Sequence, residues 1–448
     1  MRLYRKLEGD ENTHVALVLN ALATSFADQE RFAEAEALNR EALRIHRKLH
    51  GEKHEDSAKM LENLAGVTAV QGRLAEAETL HREVLTLDHA LLGKDHPEIA
   101  HVLSNLGFTL LEQNKLSEAE ANFQESLQMQ RRLSGTESPD LAKTLVGLAA
   151  TSEGQGRMEE AEMMYREALA MQRKLLKPED SAIVNTIWNL AFVLQEERRF
   201  SDADPLFREA LAIQRKLPEY GKPRLGNMLL NFASVLNGQN QFKEAEAFYR
   251  EALSILKGLS GPVLTDFAIV MVNLGLLLHQ QGRYEDVEAL YREHLDALRT
   301  RLPPDDPGLA NALAVLTSTL LAEKKFLEAE PVARECLAIR KKRLPDAWRR
   351  FSAQSMLGSI LLGQKKYAEA EPLLLASYDR MKGSGADDGT VAKATVQDSL
   401  RRTLEDLVQL YEATGRPDKA TEWRQQIAET ERAESTNAPA APPRRARK

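Results

Sequence analysis

Residues Gly93–Leu127 read GKDHPEIAHVLSNLGFTLLEQNKLSEAEANFQESL, and their pattern decides the fold. Leu103, Leu106, Gly107 and Leu110 recur at helical spacing, so they share one face of a helix opening after Pro97. Gln113, Asn114 and Lys115 make a turn. Leu116, Ala119, Phe123, Ser126 and Leu127 then mark one side of a second helix, with a small and a large residue at fixed places. Helices this short are marginal alone in water, because most helical stability comes from packing an apolar face. Neighbours must cover them.

The same chain supplies those neighbours. The Glu-Ala-Glu signature of the second helix starts at Glu34, Glu76, Glu118, Glu160, Asp202, Glu244, Asp286 and Glu328, each 42 residues after the last. A ninth copy follows one residue early at Glu369, and a degenerate tenth puts Lys419 and Ala420 at the corresponding places. A fixed period in this range predicts an all-α solenoid of nine full hairpins and a divergent tenth.

Position by position, the copies share a first-helix pair of a large then a small residue: Leu22-Ala23, Leu64-Ala65, Leu106-Gly107, Leu148-Ala149, Leu190-Ala191, Phe232-Ala233, Leu274-Gly275 and Leu357-Gly358. Thr317 and Val408 depart from it. The second-helix Ala recurs from Ala35 to Ala420 with Val287 as its exception, and its partner four residues on is aromatic at Phe123, Tyr165, Phe207, Tyr249 and Tyr291. Asn39, His81, Ala333 and Leu374 break that rule, and a Gly-x-x-His-Pro loop is complete at Gly93, His96 and Pro97. On these residues the array resembles the tetratricopeptide repeat of the 42-residue, kinesin-light-chain-like type. The resemblance implies a right-handed α-solenoid of about ten hairpins. Its first helices would line a concave groove that holds an extended segment of another protein, with no enzymatic activity.

The solenoid is expected over residues 10–433, with a loop insertion near 383–390. Residues 1–9 match the end of a second helix, since Arg5-Lys6-Leu7-Glu8-Gly9 aligns with Arg47-Lys48-Leu49-His50-Gly51; they read as a cap or as the remnant of a preceding repeat. Residues 434–448 turn to Ser, Ala and Pro and end on Arg444-Arg445-Ala446-Arg447-Lys448, a basic tail expected to be disordered. The 448 residues are 43% hydrophobic and 28% charged, with no apolar run long enough to span a bilayer and no secretory signal. A lone Cys336 suits a reducing, cytoplasmic setting. The net charge of -7 with no basic face argues against nucleic acid.

Candidate ligand contacts lie on the first helices. Asn63, Asn105, Asn189, Asn231 and Asn273 stand just before the large residue, and a ladder of amides could clamp the backbone of an extended peptide. The competing reading is that each bonds a neighbouring repeat. One turn earlier come Lys59, His101, Lys143, Asn185 and Asn227. Lys59 with Asn63 resembles half of a carboxylate clamp, so an acidic or C-terminal segment is the expected partner. Gly147 replaces Asn in the fourth repeat, and Glu62, Glu112 and Glu153 would oppose an acidic ligand.

His46, His50 and His54 invite a metal reading by their spacing of four. Gly51 is expected to end the helix and His54 occupies a loop position that His96 also fills, so the three are read as surface residues and no metal or cofactor is assigned. Cys336 takes a small buried site filled elsewhere by Ala42, Ala168, Ala210 and Ala252. The acidic residues are expected to pair with cations three or four residues away. Pro205, Pro331 and Pro372 are placed in first turns of second helices, where a missing N–H does no harm. No catalytic motif has the required context. The alternative is the regulatory half of a larger signalling protein, such as a Ser/Thr kinase carrying similar repeats.

Overall fold

The computed structural model describes residues 11–217, 222–259, 263–343, 347–383 and 389–436. These residues form twenty helices and no strand, paired into ten hairpins. Repeats one to five join Thr13–Ala27 to Phe32–His50, Glu55–Val70 to Leu74–Leu92, Pro97–Glu112 to Leu116–Ser134, Pro139–Gly154 to Met158–Leu175, and Ser181–Glu196 to Phe200–Gln214. Repeats six to ten join Lys222–Gly238 to Phe242–Leu256, Val263–Gln280 to Tyr284–Arg301, Pro307–Ala322 to Phe326–Arg343, Trp348–Gly363 to Tyr367–Gly383, and Gly389–Ala413 to Pro417–Thr436. The first five lie in one compact unit, Met1–Leu217, and the last five in another, Pro218–Lys448. The all-α hairpin solenoid read from the 42-residue period is therefore what the chain forms. Within each unit every first helix packs on its own second helix, each second helix packs on the next first helix, and neighbouring first helices touch.

The loop and turn residues have local causes. Gly51, Gly93 and Gly135 close second helices at φ of 82°, 88° and 83°, backbone that a side chain resists. Three residues on, His54 and His96 cap the next helix by accepting the N–H of Asp56 and Glu98, and Ser138 does the same for Leu141. Pro97 and Pro139 then open their helices where no N–H is needed. Physically, the Gly-x-x-His-Pro loop is a helix stop followed by a helix start.

Large residues of the second helices fill the space left by small ones on the first. Phe123, Tyr165, Phe207, Tyr249 and Tyr291 are fully buried. A Cβ on Gly107 would lie 2.7 Å from the Phe123 ring, so only glycine fits beneath it. Cys336 is buried, donates its Sγ to the Ala310 carbonyl at 3.3 Å and has its thiol pKa raised by burial. Ser126 makes the same bond to the Ala100 carbonyl at 2.6 Å, so the position is a packing site, as read.

The Glu-Ala-Glu signature has a role that spacing within one helix did not reveal. Its second carboxylate reaches the cation that opens the second helix of the following repeat. Lys115 bonds Glu78 at 2.7 Å, Arg157 bonds Glu120 at 2.8 Å, Arg199 bonds Glu162 at 2.7 Å and Lys366 bonds Glu330 at 2.9 Å, with Arg73 on Glu36 completing the first step. Many ion pairs thus run between repeats rather than three or four residues along a helix, although pairs such as Arg40 with Glu36 do that too. The Lys115 ammonium, the Gln113 amide and Arg82 pull the Glu78 carboxyl down to about 2 against the counteracting effect of burial. A folded pKa below the ordinary 4.5 means its stabilisation is complete above about pH 4.5 and is lost as pH falls toward 2. Glu78→Gln is expected to cost about 1–2 kcal/mol at pH 7. Denaturant unfolding at pH 7 and pH 3 checks it, the gap between parent and variant narrowing at the lower pH.

One sequence expectation is amended, and three others reach beyond the described residues. Pro205, Pro331 and Pro372 are the sixth residues of their helices, in the second turn rather than the first, so each leaves one helical carbonyl without its N–H. Of the expected loop, residues 384–388 lie outside the described residues and Gly389 already belongs to a first helix. The last helix continues to Thr436 and so takes in the start of the supposed tail, while residues 437–448 lie outside the described residues. Residues 1–10, including the expected cap, also lie outside them.

Candidate functional site

Within each unit, touching first helices bring the asparagines into a strip, and the amides bond mainly to the neighbouring repeat. Asn63 donates to Asn20 at 3.0 Å and Asn105 donates to Glu62 at 2.6 Å. Asn105 also meets His101 at 3.0 Å and accepts from Lys143 at 2.9 Å. In the second unit Asn231 donates to Asn227 at 3.0 Å, Asn227 to Asp266 at 3.4 Å and Asn273 to Ser234 at 3.4 Å. Asn189 serves the buried Tyr165 hydroxyl, which also donates to Glu153 at 3.1 Å. Asn185 is exposed on the same helix and has an interaction of its own. The amides form one part of the inter-repeat joints, the competing reading of their recurrence.

Gly147, the gap in the column, has a steric cause. A Cβ there would fall 2.4 Å from Phe123 and 3.0 Å from Phe108, two rings packed edge to face at 4.9 Å. Lys143 lies over Phe108 at 5.4 Å, and the desolvation of its ammonium lowers its pKa although the side chain reaches solvent.

Repeats one to three enclose a cavity of about 360 Å³, lined by Asn20, Lys59, Glu62, Asn63, Asp88, Glu98 and His101 among others. Its charge is the reverse of a carboxylate clamp. Lys59 is held by Glu55 at 2.7 Å, itself part of the wall, while Glu62, Asp88 and Glu98 add three more carboxylates. Glu62 pairs with the buried His81 at 3.0 Å; burial pushes its pKa up, but His81, Asn105 and His101 together bring it below the usual range. Asp88 has only the weaker relief of the His96 and His89 charges. It is 4% exposed, makes no hydrogen bond to a described residue, and has its carboxyl pushed up to about 6 by burial and then by Glu98 and Glu62. Sequence reading missed it because it sits on a second helix. The signal was there: Asp88 is the one carboxylate in a 42-residue column of His46, Gln130, Gln172 and Gln214.

Raised above its unfolded value of 3.8, Asp88 costs stability as it ionises, so that cost appears as pH rises from about 4 to about 6. Asp88→Asn is expected to leave stability unchanged near pH 4 and raise it by about 1–2 kcal/mol at pH 7.5. Thermal unfolding of both proteins across that range is the check.

Sequence profiles of the tetratricopeptide repeat match residues 56–131, 115–174, 183–258 and 266–342, with a further one over 15–56. The chain belongs to the tetratricopeptide repeat family. Among curated proteins none matches it. The tetratricopeptide array is similar in structure to the apo form of RapI, at 12% identity and a TM-score of 0.60, covering 85% of this chain and 99% of RapI, a likeness of fold. It is also similar to BtubC (BKLC) from P. vanneervenii, at 22% identity over 50% of this chain and 90% of that one, TM-score 0.44. A Podosopora anserina putative kinesin light chain shares 21% identity over 46% of this chain and 98% of its own, TM-score 0.39. Arrays of this family typically serve as non-catalytic protein-interaction scaffolds. No helix of the described residues is long and apolar enough to cross a membrane.

A second cluster of the tetratricopeptide array lies at the junction of repeats one and two. The second helix of repeat one runs through His50 before Gly51 stops it, which brings His46, His50 and the capping His54 together. Their ring centroids are 4.6, 4.7 and 5.1 Å apart. His46 is fully buried, contrary to the surface reading, and burial followed by the charges of His50 and His54 lowers its pKa, so it is neutral at pH 7.

Proposed function

We propose that this tetratricopeptide array is a cytoplasmic, non-enzymatic scaffold that holds a segment of another protein along the strip of first helices. We further propose that the cavity of repeats one to three receives a basic side chain of that segment. Asp88 carries the reading: a buried carboxylate with no hydrogen-bond donor, facing open space among Glu62 and Glu98, gains a partner when an ammonium or guanidinium enters. The amides of Asn20 and Asn63 at the rim supply neutral contacts to peptide backbone. This replaces the acidic or C-terminal segment expected from Lys59, whose charge Glu55 already balances.

Selection of a random peptide library on the parent and on Asp88→Asn tests the reading. The parent is expected to enrich peptides carrying Lys or Arg, and the variant to lose most of that enrichment. It should also weaken from pH 7.5 to pH 5.5, because protonation of Asp88, with its pKa of about 6, removes the charge that a cation needs. Glu62, Glu98, Glu55, Lys59, His101, His96 and His89 surround it and remain in both proteins. Enrichment of acidic peptides or free C-termini by the parent would reverse the sign of the proposal. Identical selection by both proteins would move binding to another surface.

A further inference from the structure

We propose that His46, His54 and Asp56, with His50 beside them, form a binding site for a divalent transition-metal ion of the zinc class. The site stands where the second helix of repeat one hands over to the first helix of repeat two. His46 Nδ1 lies 2.9 Å from the buried Ser57 Oγ. Donation of an N–H to that hydroxyl fixes the tautomer and leaves the lone pair on Nε2, the outer-partner arrangement that ligating histidines use. That Nε2 is fully buried, has no hydrogen-bond partner and points at Asp56 Oδ2 at 3.6 Å. His54 Nδ1 lies 3.7 Å from the same carboxylate oxygen, and one ligand atom from each of the three residues falls within 4.8 Å of the others.

Ring geometry agrees with a shared ion. Imidazoles bound at about 2.0–2.1 Å around a tetrahedral centre hold their centroids about 5 Å apart, and the three here are 4.6 to 5.1 Å apart. Ligands of two or three imidazoles and a carboxylate suit zinc and its neighbours rather than calcium or magnesium. His50 meets Thr13 Oγ1 at 2.7 Å, a bond it exchanges for the ion if it becomes the fourth ligand. His54 accepts the Asp56 N–H at 3.1 Å, and ligation through Nδ1 replaces that cap. Because the ligands come from both sides of a repeat junction, the ion would staple repeat one to repeat two, and its binding energy would add to folding.

The test titrates Zn²⁺, and Co²⁺ as a visible-spectrum probe, into the chelator-treated full chain. One ion per chain is expected, with the intense visible bands of tetrahedral Co²⁺ and an upward thermal shift on adding Zn²⁺. His54→Asn keeps a capping side chain while removing the imidazole; it and Asp56→Asn should each bind at least tenfold more weakly and lose the thermal shift. His89→Asn, an exposed histidine outside the cluster, should match the parent. A parent that gives no tetrahedral Co²⁺ spectrum, or a folded His54→Asn variant that binds as tightly as the parent, would overturn the site.

Discussion

Phe123→Ala is expected to destabilise the first unit by about 3–5 kcal/mol, the usual cost of emptying a buried aromatic site. The ring is fully buried within a cluster that includes Leu106, Leu110, Leu145, Leu148 and Met171, drawn from repeats three and four. It also lies against Gly107 and Gly147, one from each of two successive first helices. Removing it therefore weakens a hairpin and the joint to the next hairpin together. In a linear array, stability is close to a sum of repeat and interface contributions, so the loss should be felt locally. Guanidinium unfolding followed by circular dichroism, with hydrogen exchange to place the weakened repeats, is the measurement. Early exchange is expected in repeats three and four, with the second unit unchanged.

Gly147→Asn, which restores the residue found at the same place in five other repeats, is expected to destabilise by about 1–3 kcal/mol. Asparagine recovers roughly a few tenths of a kcal/mol of helix propensity over glycine, which would make the change slightly favourable if space were free. Space is not free: the new Cβ would sit 2.4 Å from Phe123. The obstacle is a side chain rather than backbone, so the cost should fall when that ring is absent. A double-mutant cycle with Phe123→Ala isolates the clash, and the account predicts that Gly147→Asn costs clearly less in the alanine background. Equal costs in both backgrounds would show that the glycine is kept for another reason.

These two residues also mark how far the sequence could be read. The repeat register, the small and large partners and the helix stops were legible because each is a local demand that recurs along the chain: a positive-φ glycine after the second helices of repeats one to three, a small residue facing a ring. Gly147 was legible as a departure but not as a necessity, since its reason is a ring on the preceding repeat. The same holds for the amide column. Asn63, Asn105 and Asn273 were found from their spacing, yet their partners Asn20, Glu62 and Ser234 are 43, 43 and 39 residues back and appear only once hairpins stack. Asp88 lies on a second helix, where no ligand contact was sought, so its place in the cavity wall required the packed structure. The histidine cluster was visible as a spacing and set aside because Gly51 was expected to end the helix and His54 to lie in the loop beyond it. Gly51 does end the helix, after His50, but the short loop folds His54 back onto it, so the three rings meet all the same.

The most direct test of the account is hydrogen–deuterium exchange on the full chain with and without a lysine-containing peptide taken from the library selection. The peptide is expected to slow exchange in the first helices of repeats two and three, Glu55–Val70 and Pro97–Glu112, where the cavity residues Glu62, Asn63, Glu98 and His101 lie. The effect should disappear in Asp88→Asn. Protection confined to the second helices, or protection that survives in Asp88→Asn, would contradict the claim that this strip and its buried carboxylate are the binding site.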